Sequence, residues 1–205
     1  MFKSQYGLPF LYLLLLPLSF AAGVIMPEIK VELALYPRNL SFLSGAVTTV
    51  FVHKDLAHFS SNCLPLFVCL FGISYFYKAI AFKVILIAHM LTGLLIWCFA
   101  RPAFHIGASG LVYALVLFVL VSGLIRGNKR LLVFSLLVLL FQSGLLWGIF
   151  PMDDEVSWES HLMGAATGTF LAFLFRHEGP KPDQKKTWDE EADEGEEADE
   201  YQRIL

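Results

Sequence analysis

Charge is scarce in this chain: 16% of its 205 residues are Asp, Glu, Lys or Arg, whereas 57% are hydrophobic and the mean hydropathy is +0.63. A soluble core cannot use that much apolar chain. Cysteine is scarce too, and odd in number. Cys63, Cys69 and Cys98 all fall within apolar runs, which argues against a disulfide framework and assigns them to packing. The phosphate-cradling P-loop and the dinucleotide-binding glycine pattern are both absent. His53 and His58 are five apart without a Glu in the zinc-protease position, so no metal and no cofactor are expected. No repeat of fixed period occurs, which argues against a transporter built from two-fold repeats.

What the chain has instead is long apolar segments. A bilayer core of roughly 30 Å takes about 18 or more consecutive apolar residues as helix. Six runs qualify: about Leu8–Met26, Ala57–Tyr77, Phe82–Ala100, His105–Ile125, Leu131–Phe150 and Trp158–Phe175. The fold class expected is an all-α polytopic membrane protein with six transmembrane helices. The first run follows Lys3 as a signal peptide would, but it is long, contains Pro9 and Pro17, and lacks a clean cleavage site. It is read as a retained span.

Basic residues orient the bundle, because Lys and Arg accumulate on the cytoplasmic side. With six spans and the N-terminus inside, eleven of the fifteen basic residues fall on the cytoplasmic side and four outside. Both termini are therefore expected in the cytoplasm. The first outer loop, Pro27–Leu56, contains an apolar stretch of thirteen residues, Leu40–Val52. That is too short for a span. Length alone leaves an interfacial or re-entrant segment and a loop packed on the bundle both open.

Two domains follow from composition: a membrane domain over 1–178 and an acidic tail over 179–205. The tail carries ten acidic and four basic residues, a net of −6 against +3 for the remainder. Such a segment cannot bury enough apolar surface to fold alone and is expected to be disordered and solvated. It would suit a basic partner, although a solubilising role is the simpler reading. No nucleic-acid partner is expected.

Polar residues inside lipid-soluble chain are costly and mark functional sites by default. Asn62, Ser109 and His161 lie on the second, fourth and sixth spans, which all enter from the same face. Each sits roughly one turn below its span's start, about 5–8 Å deep at 1.5 Å per residue. A neutral serine hydroxyl becomes a nucleophile only beside a base, and histidine is the natural one near neutrality. His58, four residues before Asn62 and on the same helical face, adds a second side-chain N–H donor for an oxyanion. No carboxylate lies in the fourth span or below His161 in the sixth, so the expectation is a Ser109–His161 dyad without an acid. Tyr113, four residues after Ser109, offers a ring on which His161 can stack. Gly107 and Gly110 flank Ser109, and Gly164 and Gly168 follow His161 at i+3 and i+7. These small residues let two helices approach closely enough for short side chains to meet. Among the other histidines, His89 is read as a satisfied core residue and His105 as a water-interface residue.

At these positions the chain resembles a known family. Gly107-Ala108-Ser109-Gly110 is similar to the GxSG motif of rhomboid intramembrane serine proteases. Ser157-Trp158-Glu159-Ser160-His161-Leu162, with Gly164 and Gly168, resembles their last catalytic span. The stretch from Thr49 to Asp55, followed by His58 and Asn62, resembles the start of their second span. The resemblance covers most of residues 40–175, although the Trp-Arg pair of some bacterial members is missing from the first loop. It implies an endopeptidase cleaving single-span membrane proteins near the outer face of the bilayer, with Ser109 as nucleophile, His161 as base, and His58 and Asn62 at the oxyanion. The partners it implies are transmembrane substrates and the lipid bilayer. The compact core suits a bacterial inner membrane. Two alternatives remain: an inactive rhomboid-like adaptor or chaperone, against which the presence of both Ser109 and His161 argues, and rhombosortase-type processing of C-terminal anchors.

Overall fold

The computed structural model describes residues 4–141, 148–151 and 157–183. Helices account for nearly all of it: α1 (Gly7–Ile25), α2 (Ile29–Leu33), α3 (Gly45–Thr48), α4 (Leu56–Phe76), α5 (Ala81–Phe99), α6 (Ser109–Arg126), α7 (Lys129–Phe141) and α8 (Trp158–Leu174). There is no sheet among the described residues; one isolated bridge joins Leu35 to His105.

Helices α1, α4, α5 and α6 are each 18 to 21 residues long and apolar enough to cross a membrane. At a rise of about 1.5 Å per residue they reach roughly 27–32 Å, the thickness of the hydrocarbon layer. The other two expected spans are shorter as described, with 13 helical residues in α7 and 17 in α8. Part of the fifth, residues 142–147, lies outside the described residues. Pro17 and Pro65 stand inside α1 and α4 without ending them, as membrane helices tolerate when neighbouring groups take up the freed carbonyls.

Helix α6 is the hub. Its buried residues run from Gly110 to Val116 without a gap and continue through Phe118, Val119, Ser122 and Gly123, so over its first two turns it is enclosed on every face, as a helix that is apolar all round should be. Against it lies α8, and the sequence explains why the two come so close. A Cβ at Gly164 would stand 2.0 Å from the carbonyl oxygen of Gly110, and one at Gly168 would stand 2.1 Å from that of Ala114. Backbone meets backbone there, and only glycine permits it.

The loop between α1 and α4 packs on α5. Leu40–Phe42 and Thr49–Phe51 form 3-10 turns on either side of α3. Ala46 is buried over Gly93, where a Cβ would come within 1.9 Å of the Ala46 carbonyl oxygen. The stretch Leu40–Val52 is therefore a folded layer seated on the bundle, with Leu40 and Val47 left exposed. Arg38 hooks the same loop to the end of α5, its guanidinium donating to the carbonyls of Cys98 and Ala100.

At the other end of α6 the chain turns on Gly127, whose left-handed φ of 61° closes the helix. There Arg126 donates to the carbonyls of Phe175, Glu178 and Pro180. Asn128 donates to Lys181, and the Lys129 amide donates to Asp183. The root of the acidic segment is thus laced across the end of α6 and the start of α7. The rest of that segment lies outside the described residues.

Candidate active site

Ser109 is the first residue of α6, one turn earlier on its helix than hydropathy suggests. The apolar residues before it read as helix by composition, but they are loop backbone held by specific partners. Leu35 exchanges both backbone hydrogen bonds with His105, and the Gly107 amide donates to the Thr49 carbonyl at 3.0 Å. Gly107 has a φ of 105°, a conformation side-chain-bearing residues rarely adopt. Its position explains the requirement a second time, since a Cβ there would lie 2.6 Å from His58 Nε2. The result is a nucleophile candidate at a helix N-terminus, where the first-turn amides lack intrahelical partners and the helix dipole favours negative charge.

Four residues into α8, His161 faces it. His161 Nε2 lies 2.8 Å from Ser109 Oγ, and its Nδ1 lies 2.7 Å from the carbonyl oxygen of Gly148. A carbonyl only accepts, so the proton of the neutral ring must sit on Nδ1. That leaves the Nε2 lone pair to receive the Ser109 hydroxyl proton. The orienting group is therefore a backbone carbonyl, a partner no residue type announces. Tyr113 lies flat on the same ring, with centroids 4.4 Å apart and planes at 18°, as the stacking expectation requires.

The two expected oxyanion residues sit across Gly107 from this pair. Asp55 caps α4 by accepting from the His58 amide at 2.8 Å. The Lys54 amide approaches His58 Nδ1 at 3.4 Å, which leaves His58 Nε2 as the protonated nitrogen beside Gly107. Asn62 is buried, but its amide is turned away from that duty. Its Nδ2 donates to the His58 carbonyl at 2.8 Å, and the unpartnered Oδ1 faces the Gly107 side. Half a turn of the side-chain amide is needed before Asn62 can donate to an oxyanion.

Outside the membrane-spanning helices, His53 packs edge-on against His58 with ring centroids 5.2 Å apart. Burial, followed by the neighbouring His58, lowers its pKa to about 4. Among the described residues no group of three His, Cys, Asp or Glu side chains converges on a metal position.

Residues 41–178 match the rhomboid domain. The chain belongs to the rhomboid family. Rhomboids are generally serine proteases that act on transmembrane substrates, and the family includes inactive members. With its apolar helices, this rhomboid is an integral membrane protein. It is 34% identical over 152 residues to the uncharacterized protein Rv1337 of Mycobacterium tuberculosis, a match covering 67% of this chain and 61% of that one. The uncharacterized protein Mb1372 of Mycobacterium bovis matches to the same extent. ML1171 of Mycobacterium leprae, also uncharacterized, is 31% identical over 134 residues, covering 60% and 52% respectively. The chain thus spans between half and two thirds of the length of these relatives.

His89 is the satisfied core histidine that its sequence position suggests, with Tyr12 and the Val47 carbonyl on its two ring nitrogens. His105 differs from expectation. It is 2% exposed rather than at a water interface, and its ring reaches Ser157 and the Arg101 carbonyl. The available signal was spacing, because His105 precedes Ser109 by four residues and Ser157 precedes His161 by four.

Proposed function

We propose that this rhomboid is an intramembrane serine endopeptidase in which Ser109 is the nucleophile and His161 the general base. The observation that carries the reading is the Ser109–His161 hydrogen bond of 2.8 Å, with the far ring nitrogen committed to Gly148. As Ser109 Oγ attacks the scissile carbonyl carbon, its proton passes to His161 Nε2, and the C=O π electrons move onto oxygen. The Ser109 amide and His58 Nε2–H then donate to that oxyanion, joined by Asn62 once its amide has turned. The imidazolium returns the proton to the leaving amine, the C–N bond breaks, and an acyl-enzyme remains. Water repeats the sequence, giving its proton to His161 and freeing Ser109.

The substrates in this reading are single-span membrane proteins, cut near the outer face of a bacterial inner membrane, with both termini of the enzyme in the cytoplasm. Residues 1–178 form the membrane domain and 179–205 an appended acidic tail. The deciding experiment is labelling with a serine-directed fluorophosphonate, comparing wild type with Ser109→Ala. Labelling is expected in wild type alone. Equal labelling of both removes Ser109 from the role, and no labelling of wild type favours an inactive adaptor.

A further inference from the structure

Ser157 occupies the N-cap position of α8, yet its side chain makes no capping hydrogen bond to that helix. Serine is favoured at an N-cap because its oxygen accepts from a first-turn amide. Here the hydroxyl is directed elsewhere. Ser157 Oγ lies 2.5 Å from His105 Nδ1 and hydrogen-bonds the Ser160 hydroxyl.

The chemistry at His105 fixes which way this bond runs. His105 Nε2 lies 3.0 Å from the Arg101 carbonyl oxygen, which can only accept, so Nε2 carries the ring proton and Nδ1 a lone pair. Ser157 donates to His105, and Ser160 donates to Ser157. The residue bearing the ring is itself immobilised. The His105 amide donates to Leu35 at 2.8 Å, and its carbonyl accepts from the Leu35 amide and the Thr49 hydroxyl. Beside this contact Arg101 pairs with buried Glu159 at 3.5 Å, a second tie between the loop before α6 and the first turn of α8.

The placement decides what the contact does. His105 stands four residues before Ser109, and Ser157 stands four before His161. The two histidine–serine pairs therefore join the same two segments, with the residue types exchanged. Beyond His161 toward the C-terminus, α8 is registered on α6 by Gly164 and Gly168. On the N-terminal side the work falls to an uncapped first turn, the part of a helix that frays most readily.

We propose that His105 and Ser157 form a positioning clasp that holds the first turn of α8 against the nucleophile loop and so keeps His161 in line with Ser109. Neither residue touches the reacting atoms. The clasp acts on kcat through His161, since a displacement of about 1 Å at a catalytic group costs on the order of a hundred-fold in rate. This inference rests on the dyad reading above.

The test uses the full chain in liposomes, with fluorophosphonate labelling rates and cleavage kinetics on a single-span substrate. Ser157→Val removes the hydroxyl, and Ser157→Thr, which has nearly the shape of valine, keeps it. The valine variant is expected to lose about ten-fold or more in kcat and labelling rate with KM little changed, and the threonine variant to stay near wild type. His105→Ala combined with Ser157→Val should be no worse than the poorer single variant, because both remove one contact. Ser157→Ala carries the same expectation should the valine variant fail to fold. A wild type that labels while Ser157→Val and Ser157→Ala label equally fast overturns the clasp and leaves the dyad standing. Equal losses for threonine and valine, or additive losses in the double variant, overturn it as well. An unlabelled wild type overturns the dyad and the clasp together.

Discussion

Gly164 rests directly on the carbonyl of Gly110, with 2.0 Å between that oxygen and the place a methyl group would take. Neither side of the contact is a flexible side chain, so a methyl there must separate α6 from α8. Overpacking of a rigid core costs about 1–3 kcal/mol, occasionally more. Part of that displacement falls on the Ser109–His161 hydrogen bond one turn away. Gly164→Ala is expected to lower fluorophosphonate labelling about a hundred-fold and to depress the thermal midpoint in detergent. Gly7→Ala serves as the control, since nothing lies within 4 Å of its Cβ position. A Gly164→Ala protein that labels like the Gly7→Ala protein would contradict the tight-packing account.

Asn62 has two possible employments, and kinetics separates them. Its amide holds the His58 carbonyl in the resting geometry, and it donates to the oxyanion only after turning. Loss of one oxyanion donor costs about 10²–10³ in kcat. Asn62→Ala is therefore expected to fall in kcat by that order, with KM and thermal midpoint nearly unchanged. An unaltered kcat would restrict Asn62 to bracing His58.

Stability should depend on pH through His53. Its folded pKa of about 4 lies below the ordinary value of 6.5 because the ring is buried and faces His58. Below pH 6.5 the unfolded chain gains a proton there that the folded chain refuses. The stability this group contributes is whole above pH 6.5 and is lost as pH falls toward 4, by up to about 3 kcal/mol at 1.36 kcal/mol per unit. Thermal midpoints between pH 7.5 and 4.5 should fall less steeply for His53→Phe, whose ring can keep the edge-on contact with Phe59. Parallel pH curves for the two proteins would count against this assignment.

Sequence reasoning reached the parts of the site governed by helical spacing. Tyr113 follows Ser109 by one turn, and Gly164 and Gly168 follow His161 along one face, so their meeting is a consequence of 3.6-residue periodicity. Other parts carry no such mark. Gly148 contributes only its carbonyl to His161, and every residue has a carbonyl. The residues before Ser109 are as apolar as a helix, so hydropathy placed the fourth span from His105 onward. The structure starts α6 at Ser109 because Leu35 and Thr49 claim the preceding backbone. His105 escaped because a histidine near a helix end looks wet until its partner, 52 residues away, is in place.

The lacing at Arg126 has a mechanical meaning. The guanidinium and its neighbours clamp residues 175–183 onto the far end of α6 from Ser109. A pull along the chain at Asp183 is thus met at that clamp before it reaches α8. It works as strain relief does on a cable, sparing the imidazole that stands thirteen residues before the end of α8.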